Sequence, residues 1–178
     1  MRRGSALTKY EYDTLGRVDE ERRYSGKEVH EYVATKYTYD LLDRIAEECE
    51  VDANGTIYTK KKTTYDENNN ITETKTWNHS GTAVAKNTYD PRGNLSSSTD
   101  PLGNTTHYNT RYDFFLDGLN LPCLEITDPT GVKTISVSDH QGSIISVQIY
   151  SPVGTLLSDT EMFYDIRGNI VRKEQYLP

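Results

Sequence analysis

One nine-residue phrase recurs along this chain and constrains it more than any other feature. YEYDTLGRV (10–18) returns as YTYDLLDRI (37–45), TTYDENNNI (63–71), NTYDPRGNL (87–95) and MFYDIRGNI (162–170). A repeat of this kind is one supersecondary unit that cannot bury its own apolar face, so it must stack on its neighbours. Each copy has a Tyr-Asp pair, two variable residues, a residue that tolerates the left-handed conformation, a polar residue and an aliphatic one. The structural positions are Tyr12, Asp13, Gly16 and Arg17; Tyr39, Asp40, Asp43 and Arg44; Tyr65, Asp66 and Asn69; Tyr89, Asp90, Gly93 and Asn94; Tyr164, Asp165, Gly168 and Asn169. The aspartates can accept hydrogen bonds from backbone N–H groups two residues on and so initiate a turn. Gly, Asn and Asp are the residues that accept φ > 0 at the fifth place.

Degenerate copies that keep the turn but lose the Tyr-Asp pair fill the intervals: DANGTI (52–57), NHSGTA (78–83), DPLGNT (100–105), DPTGVK (128–133), DHQGSI (139–144) and SPVGTL (151–156). DGLNLP (117–122) reads as a variant with Asn120 in the glycine place, and YSGKEV (24–29) as an early turn. The chain therefore reverses about every twelve residues, the spacing of an all-β chain in which short reversals make neighbouring strands antiparallel. The expected fold is an all-β antiparallel meander of about a dozen hairpin-linked strands. Open twisted sheets rarely exceed about ten strands, so this one should curl into a spiral or partial barrel. No segment sustains the i, i+3, i+4 apolar spacing of a helix. Residues 1–9 read as a tail and 10–178 as a single array, and the lack of a start motif in MRRGSALT suggests a slice of something longer.

Composition matters here because it limits the core. Hydrophobic residues are 34% of the chain and 14 of its residues are Tyr, too lean an apolar supply for two dry sandwich faces. Alternation in IAEECEV (45–51) and ITETKTW (71–77) leaves both sheet faces partly wet, and only SIISVQIY (143–150) approaches a buried strand, with Ile145, Val147 and Ile149 on one face. The net charge of −7 disfavours nucleic acid and anionic membrane as partners. The KKK run at 60–62 reads as a solvated strand edge that discourages sheet extension. No apolar stretch is long enough for membrane insertion. Cys49 and Cys123 fall six strands apart by the turn count, roughly 29 Å, and read as free thiols.

The repeated residues resemble the YD repeats of the rearrangement-hotspot (RHS) superfamily. YDTLGRV, YDLLDRI, YDPRGNLSSSTDPLGN and YDIRGNIV are similar to its Y-D-x-x-G-R-L motif with a following D-P-x-G turn, and the likeness runs from Tyr10 to about Val171. The resemblance implies a sheet that spirals into a hollow shell, as in Rhs toxins, Tc toxin cocoon subunits, wall-associated proteins and teneurins. It implies a structural scaffold enclosing or displaying a separate effector or toxin domain of a larger bacterial polypeptide, secreted or attached to the cell surface or wall. The implied partners are the rest of that polypeptide and its effector. No C-terminal core signature with its aspartyl self-cleavage site is found, so autoproteolysis is not carried over.

No enzymatic site is expected. DENNN (66–70) has oxygen ligands at alternate positions, but Ile71 and Trp77 stand where a calcium loop needs Gly and Glu. His30, His79, His107 and His140 have no zinc spacing, and the serines at 96–98 lack a nucleophile elbow. No cofactor, metal or catalytic residue is assigned. Tyr10 with Tyr12, and Tyr37 with Tyr39, share strand faces. They are expected to stack on one another across the sheet; alternatively, left exposed, they would make a carbohydrate-binding adhesion module. Cutting a sheet of this kind also exposes edges that invite strand pairing with another chain.

Overall fold

A computed structural model describes residues 7–24 and 31–177. Every regular element in it is a β-strand, and the chain falls into two compact units, Met1–Lys86 and Asn87–Pro178. The reversal at YSGKEV and His30 lie outside the described residues.

The first unit holds β1 (Leu7–Tyr12), β2 (Val18–Tyr24), β3 (Tyr32–Tyr39), β4 (Ile45–Asp52), β5 (Ile57–Tyr65), β6 (Ile71–Asn78) and most of β7 (Gly81–Tyr89). The second holds β8 (Leu95–Thr99), β9 (Thr105–Leu116), β10 (Leu119–Thr127), β11 (Lys133–Ser138), β12 (Ile144–Tyr150), β13 (Leu156–Tyr164) and β14 (Ile170–Tyr176). Within each unit the strands pair antiparallel in chain order. The all-β meander expected from the turn spacing is the fold, with fourteen strands among the described residues. β1 already begins at Leu7, inside the stretch read as a tail.

A single turn geometry accounts for the regularity. In ten turns the residue in the Asp place donates its N–H to the carbonyl four residues on, and its own carbonyl accepts the N–H three residues on; Asp13 N to Arg17 O at 2.9 Å and Gly16 N to Asp13 O at 3.0 Å are typical. This is a type I turn closed by a left-handed residue, the three-residue hairpin loop that carries a glycine bulge. The bulge registers in the pairing: Glu11 faces Glu20 but Tyr12 faces Val18, and the same slip recurs at Thr38/Tyr39, Thr64/Tyr65 and Phe163/Tyr164.

Two reversals differ. Asp117 and Gly118 both have positive φ, 48° and 84°, the two-residue hairpin turn favoured by Asp-Gly. Asn120 is therefore not the left-handed residue of that turn; it lies in β10 opposite Phe115. His79 and Ser80 make the other two-residue loop, with Asn78 facing Gly81.

Burial follows the lean composition. In the first unit the buried residues are scattered and partly polar: Tyr24, Ala34 and Val51 with Glu20, Thr35 and Thr63. Glu20 tolerates burial because Arg22 and Lys36 pair with it at 2.7 and 3.5 Å. The lysines at 60–62 are not at a sheet edge. They occupy β5 between β4 and β6, where Lys61 and Lys62 face Glu48 and Glu47, and Lys60 reaches Glu47 at 2.9 Å. Three cations adjacent in sequence are stable inside a sheet because the neighbouring strand brings the acids.

The second unit has one apolar cluster, Leu121, Cys123 and Val137, with Phe114, Leu116, Ile135 and Ile145 packed against it. The cluster centres on β10 and β11 rather than β12. Pairing slips between Val137, opposite Ser146, and Ser138, opposite Ile144, so Ile145 is the extra residue of a bulge and leaves the simple alternation. Cys49 and Cys123 are both free thiols.

Candidate functional site

Because the motif recurs, the candidate site is a row of turns. Within each turn the Asp carboxylate is a hub. Asp13 Oδ1 accepts the N–H groups of Leu15 and Arg17, both at 2.9 Å, and Oδ2 accepts Arg17 Nε at 2.7 Å. Asp40 does the same with Leu42 and Arg44. In the later copies an asparagine amide replaces the guanidinium: Asn70 on Asp66 at 3.0 Å, Asn94 on Asp90 at 2.9 Å, Asn104 on Asp100 at 2.8 Å and Asn169 on Asp165 at 3.0 Å. The polar residue after the left-handed one is thus a clamp on the carboxylate. Ser151, in the Asp place of its turn, accepts only the Thr155 N–H through its hydroxyl.

Electrostatics follow from these bonds. The Arg17 backbone N–H is the main influence holding the Asp13 carboxyl below its ordinary value, and the Asn70, Asn94 and Asn169 side chains are the main ones for Asp66, Asp90 and Asp165. At Asp40 burial is the largest single influence and pushes upward, but the hydrogen bonds and charge of Arg44 with the Leu42 N–H outweigh it together. A carboxyl held low in this way stays ionised as an acceptor and cannot supply a proton near neutral pH. The alternate oxygen ligands of 66–70 are likewise committed, since Asp66 already accepts from Asn68 N–H, Asn70 N–H and the Asn70 amide.

The left-handed places are filled by Gly16 at φ 81°, Asp43 at 61°, Asn69 at 74°, Gly93 at 86° and Gly168 at 83°.

The turns are also tied to one another. The tyrosine of one copy donates its hydroxyl to the carbonyl of the aliphatic residue that follows an earlier turn: Tyr39 to Val18 at 2.7 Å, Tyr65 to Ile45 at 3.1 Å and Tyr164 to Ile144 at 2.7 Å. In the first unit an arginine closes over the same ring, with the guanidinium carbon of Arg17 4.3 Å from the centre of Tyr39 and that of Arg44 4.4 Å from the centre of Tyr65. Each arginine then reaches the left-handed residue of the next copy. Arg17 pairs with Asp43, and Arg44 donates to Asn69 Oδ1 at 2.8 Å and to the Asp66 carbonyl at 3.1 Å.

These contacts replace the expected tyrosine stacks. Tyr24 and Tyr32 do pair their rings, at 5.4 Å and 53°. Tyr39, Tyr65, Tyr89 and Tyr164 are half-buried, whereas Tyr12 is 61% exposed. Sequence reasoning missed Asn70 as a clamp, and it missed the arginine bridges. A signal for the bridges was present: glycine gives way to Asp43 and Asn69 only in the two copies that follow an arginine clamp.

With this geometry in view, residues 89–133, which take in Asp90, Gly93, Asn94 and the turns after Asp100 and Asp128, match the RHS repeat family. The match is confined to that segment. Two crystal structures containing TcdB2-TccC3, one with Cdc42 and one without the hypervariable C-terminal region, are similar in fold to this chain. Each has a TM-score of 0.56 at 13% identity and covers 98% of this chain. The chain spans 11% of the length of those proteins. No curated protein matches it in sequence.

Proposed function

We propose that this chain is a wall segment of a YD-repeat shell, a scaffold that encloses or displays a separate effector domain of a larger secreted bacterial polypeptide. The observation that carries this reading is the tie from one turn to another, tyrosine hydroxyl to carbonyl and arginine over the ring. It spends the motif's polar groups on holding repeats together and leaves none of them poised for chemistry. The likeness of fold to TcdB2-TccC3 structures supports it, one of them having been described without a hypervariable C-terminal region. That a separable C-terminal region hangs on such a wall is the arrangement we infer for this polypeptide, with residues 10–178 a continuous part of the array and an extracellular destination.

The test is proteolysis of the whole parent polypeptide. A wall segment protects the effector, so cutting of the effector should rise several-fold when Tyr39 and Tyr65 are both changed to Ala. Equal effector cleavage in parent and variant would overturn the enclosing role. The adhesion alternative rests on Tyr10 and Tyr12, 50% and 61% exposed. Retention of the chain on a glycan array, lost in a Tyr10→Ala, Tyr12→Ala variant, would favour it over the scaffold.

A further inference from the structure

One face of the first unit carries a charge imbalance that the turns do not use. Lys60 lies opposite Trp77, Lys62 opposite Lys75 and Glu73 opposite Lys86, in successive rows two residues apart and so on the same face. The acids on it are already committed. Glu47 faces Lys62 but reaches Lys60, at 2.9 Å, and Glu73 reaches Lys86 at 3.7 Å. Lys62 and Lys75 are left as exposed like charges directly opposite each other, which costs stability, and neither makes an ion pair among the described residues. Beside them Trp77 is 40% exposed, and these three residues with Lys60 and Glu47 line a pocket of about 200 Å³. β5 and β6 are hydrogen-bonded on both sides, so the patch is a face of interior strands, not an edge. We infer that it docks an extended acidic peptide segment of a partner protein, with a carboxylate seated between Lys62 and Lys75 and an aromatic side chain two residues away on Trp77.

Charge and spacing select that occupant. Lys60, Lys62, Lys75 and Lys86 stand against Glu47 and Glu73, a local surplus of two positive charges on a chain whose net charge is −7. A partner with one or two carboxylates at this place complements the patch, whereas a uniform polyanion running beyond it meets an acidic chain and is repelled. The rows that hold the lysine pair and Trp77 are two residues apart, about 6.8 Å along the strands. An extended peptide sets its alternate side chains on one side at the same interval. One residue can therefore sit on the lysine pair while the next but one meets the indole, and aromatic rings favour an offset or edge-to-face contact with it.

Docking and stability are linked at this place. Without a partner the two ammonium groups repel; a carboxylate between them turns a like-charge pair into two charge-assisted contacts. The peptide should therefore raise the stability of the chain as it binds, and do so less at high salt, because the lysines are exposed. The inference goes beyond the scaffold reading and needs no enclosed effector.

Trp77 is the chain's one tryptophan, so its emission reports this patch alone. The probe is a blocked nonapeptide in which glycine alternates with Glu, Phe, Glu and Phe. Titrated into the whole chain at low salt, it should change the emission saturably. A peptide of the same composition with Glu and Phe adjacent should bind more weakly, and one with Lys in place of Glu should not bind. Lys62→Gln combined with Lys75→Gln should weaken the alternating peptide about 2- to 30-fold, the worth of two exposed ion pairs. That variant, free of peptide, should resist urea at least as well as the parent, because the repulsion is gone. The inference is overturned by the absence of a saturable change, by a rearranged or basic peptide that binds as well, or by polygalacturonate or duplex DNA binding more tightly than the acidic peptide. These variants alter neither the tyrosine hydroxyls nor the arginine bridges, so the effector-cleavage result stands or falls separately.

Discussion

Gly93 and Gly131 look alike in sequence, each the left-handed residue of an Asp-Pro turn, yet the structure separates them. Both have positive φ, 86° and 89°. A Cβ at Gly93 meets nothing within 4 Å, whereas a Cβ at Gly131 comes 3.1 Å from Pro152 Cβ and 3.6 Å from its Cγ. At Gly93 the only cost of a side chain is backbone conformation. Valine there is β-branched and resists φ > 0, at about 1–3 kcal/mol, while asparagine tolerates it and costs well below that. At Gly131 asparagine is equally tolerant of the backbone, but carbon atoms prefer about 3.5–4.0 Å, and a proline ring has no rotamer with which to move away. Overpacking of this kind costs about 1–3 kcal/mol. Urea unfolding followed by circular dichroism should therefore rank Gly93→Asn near the parent, with Gly93→Val and Gly131→Asn both destabilised. Hydrogen exchange should place the Gly93→Val damage at its own hairpin and leave distant hairpins protected. If Gly131→Asn proves as stable as Gly93→Asn, the close approach to Pro152 is not a constraint and the reasoning fails. If Gly93→Asn is as harmful as Gly93→Val, the turn does not need a left-handed residue.

Replacing Tyr65 by Phe removes the hydroxyl that donates to Ile45 and should destabilise by about 0.5–1.5 kcal/mol, measured in urea, with faster amide exchange around the 40–44 turn. Arg44→Lys keeps the charge but loses the stacked planar group over Tyr65, and should lose about 0.5–1 kcal/mol. A double-mutant cycle of Arg44→Lys with Asn69→Gly should be non-additive, because the guanidinium donates to that amide oxygen, and strict additivity would refute the bridge. Asp13, Asp66, Asp90 and Asp165 have folded values below their ordinary 3.8, so their contribution is fully present above that pH and is lost as pH falls through the depressed folded values. Stability against urea should be nearly flat at neutral pH and fall in the acid range, and Asp90→Asn should flatten part of the fall.

The fold was legible because its determinants are local. Asp, a tolerant fifth residue and twelve-residue spacing each act within one hairpin, and a chain of hairpins in order needs no long-range information. Features that depend on a neighbouring strand were not legible. KKK looked like an edge because the acids that face it, Glu47 and Glu48, are more than ten residues earlier and enter only through register. Asn120 looked like a turn residue because the frame of the other copies was imposed on a segment where Asp117-Gly118 makes a shorter reversal. Ile145 left its expected face because a bulge consumed one residue. At the turns, the carboxylate's role was readable from Asp alone, whereas the arginine bridges join residues 25 or 26 apart that meet only when two hairpins lie side by side.

The same contrast explains how so lean a chain can hold a large sheet. Ordering a residue's backbone costs about 1–2 kcal/mol, and a chain with so few buried apolar side chains has little hydrophobic free energy to set against it. The turns lower that requirement at the step where it is steepest, since the Asp carboxylate accepts two backbone N–H groups and a clamp, and so fixes the reversal from within five residues. Tyrosine then does what a core residue does elsewhere: half-buried, it covers the turn before it and closes an otherwise open carbonyl. Because each tie spans only two hairpins, stability grows with the number of copies that are tied one to the next.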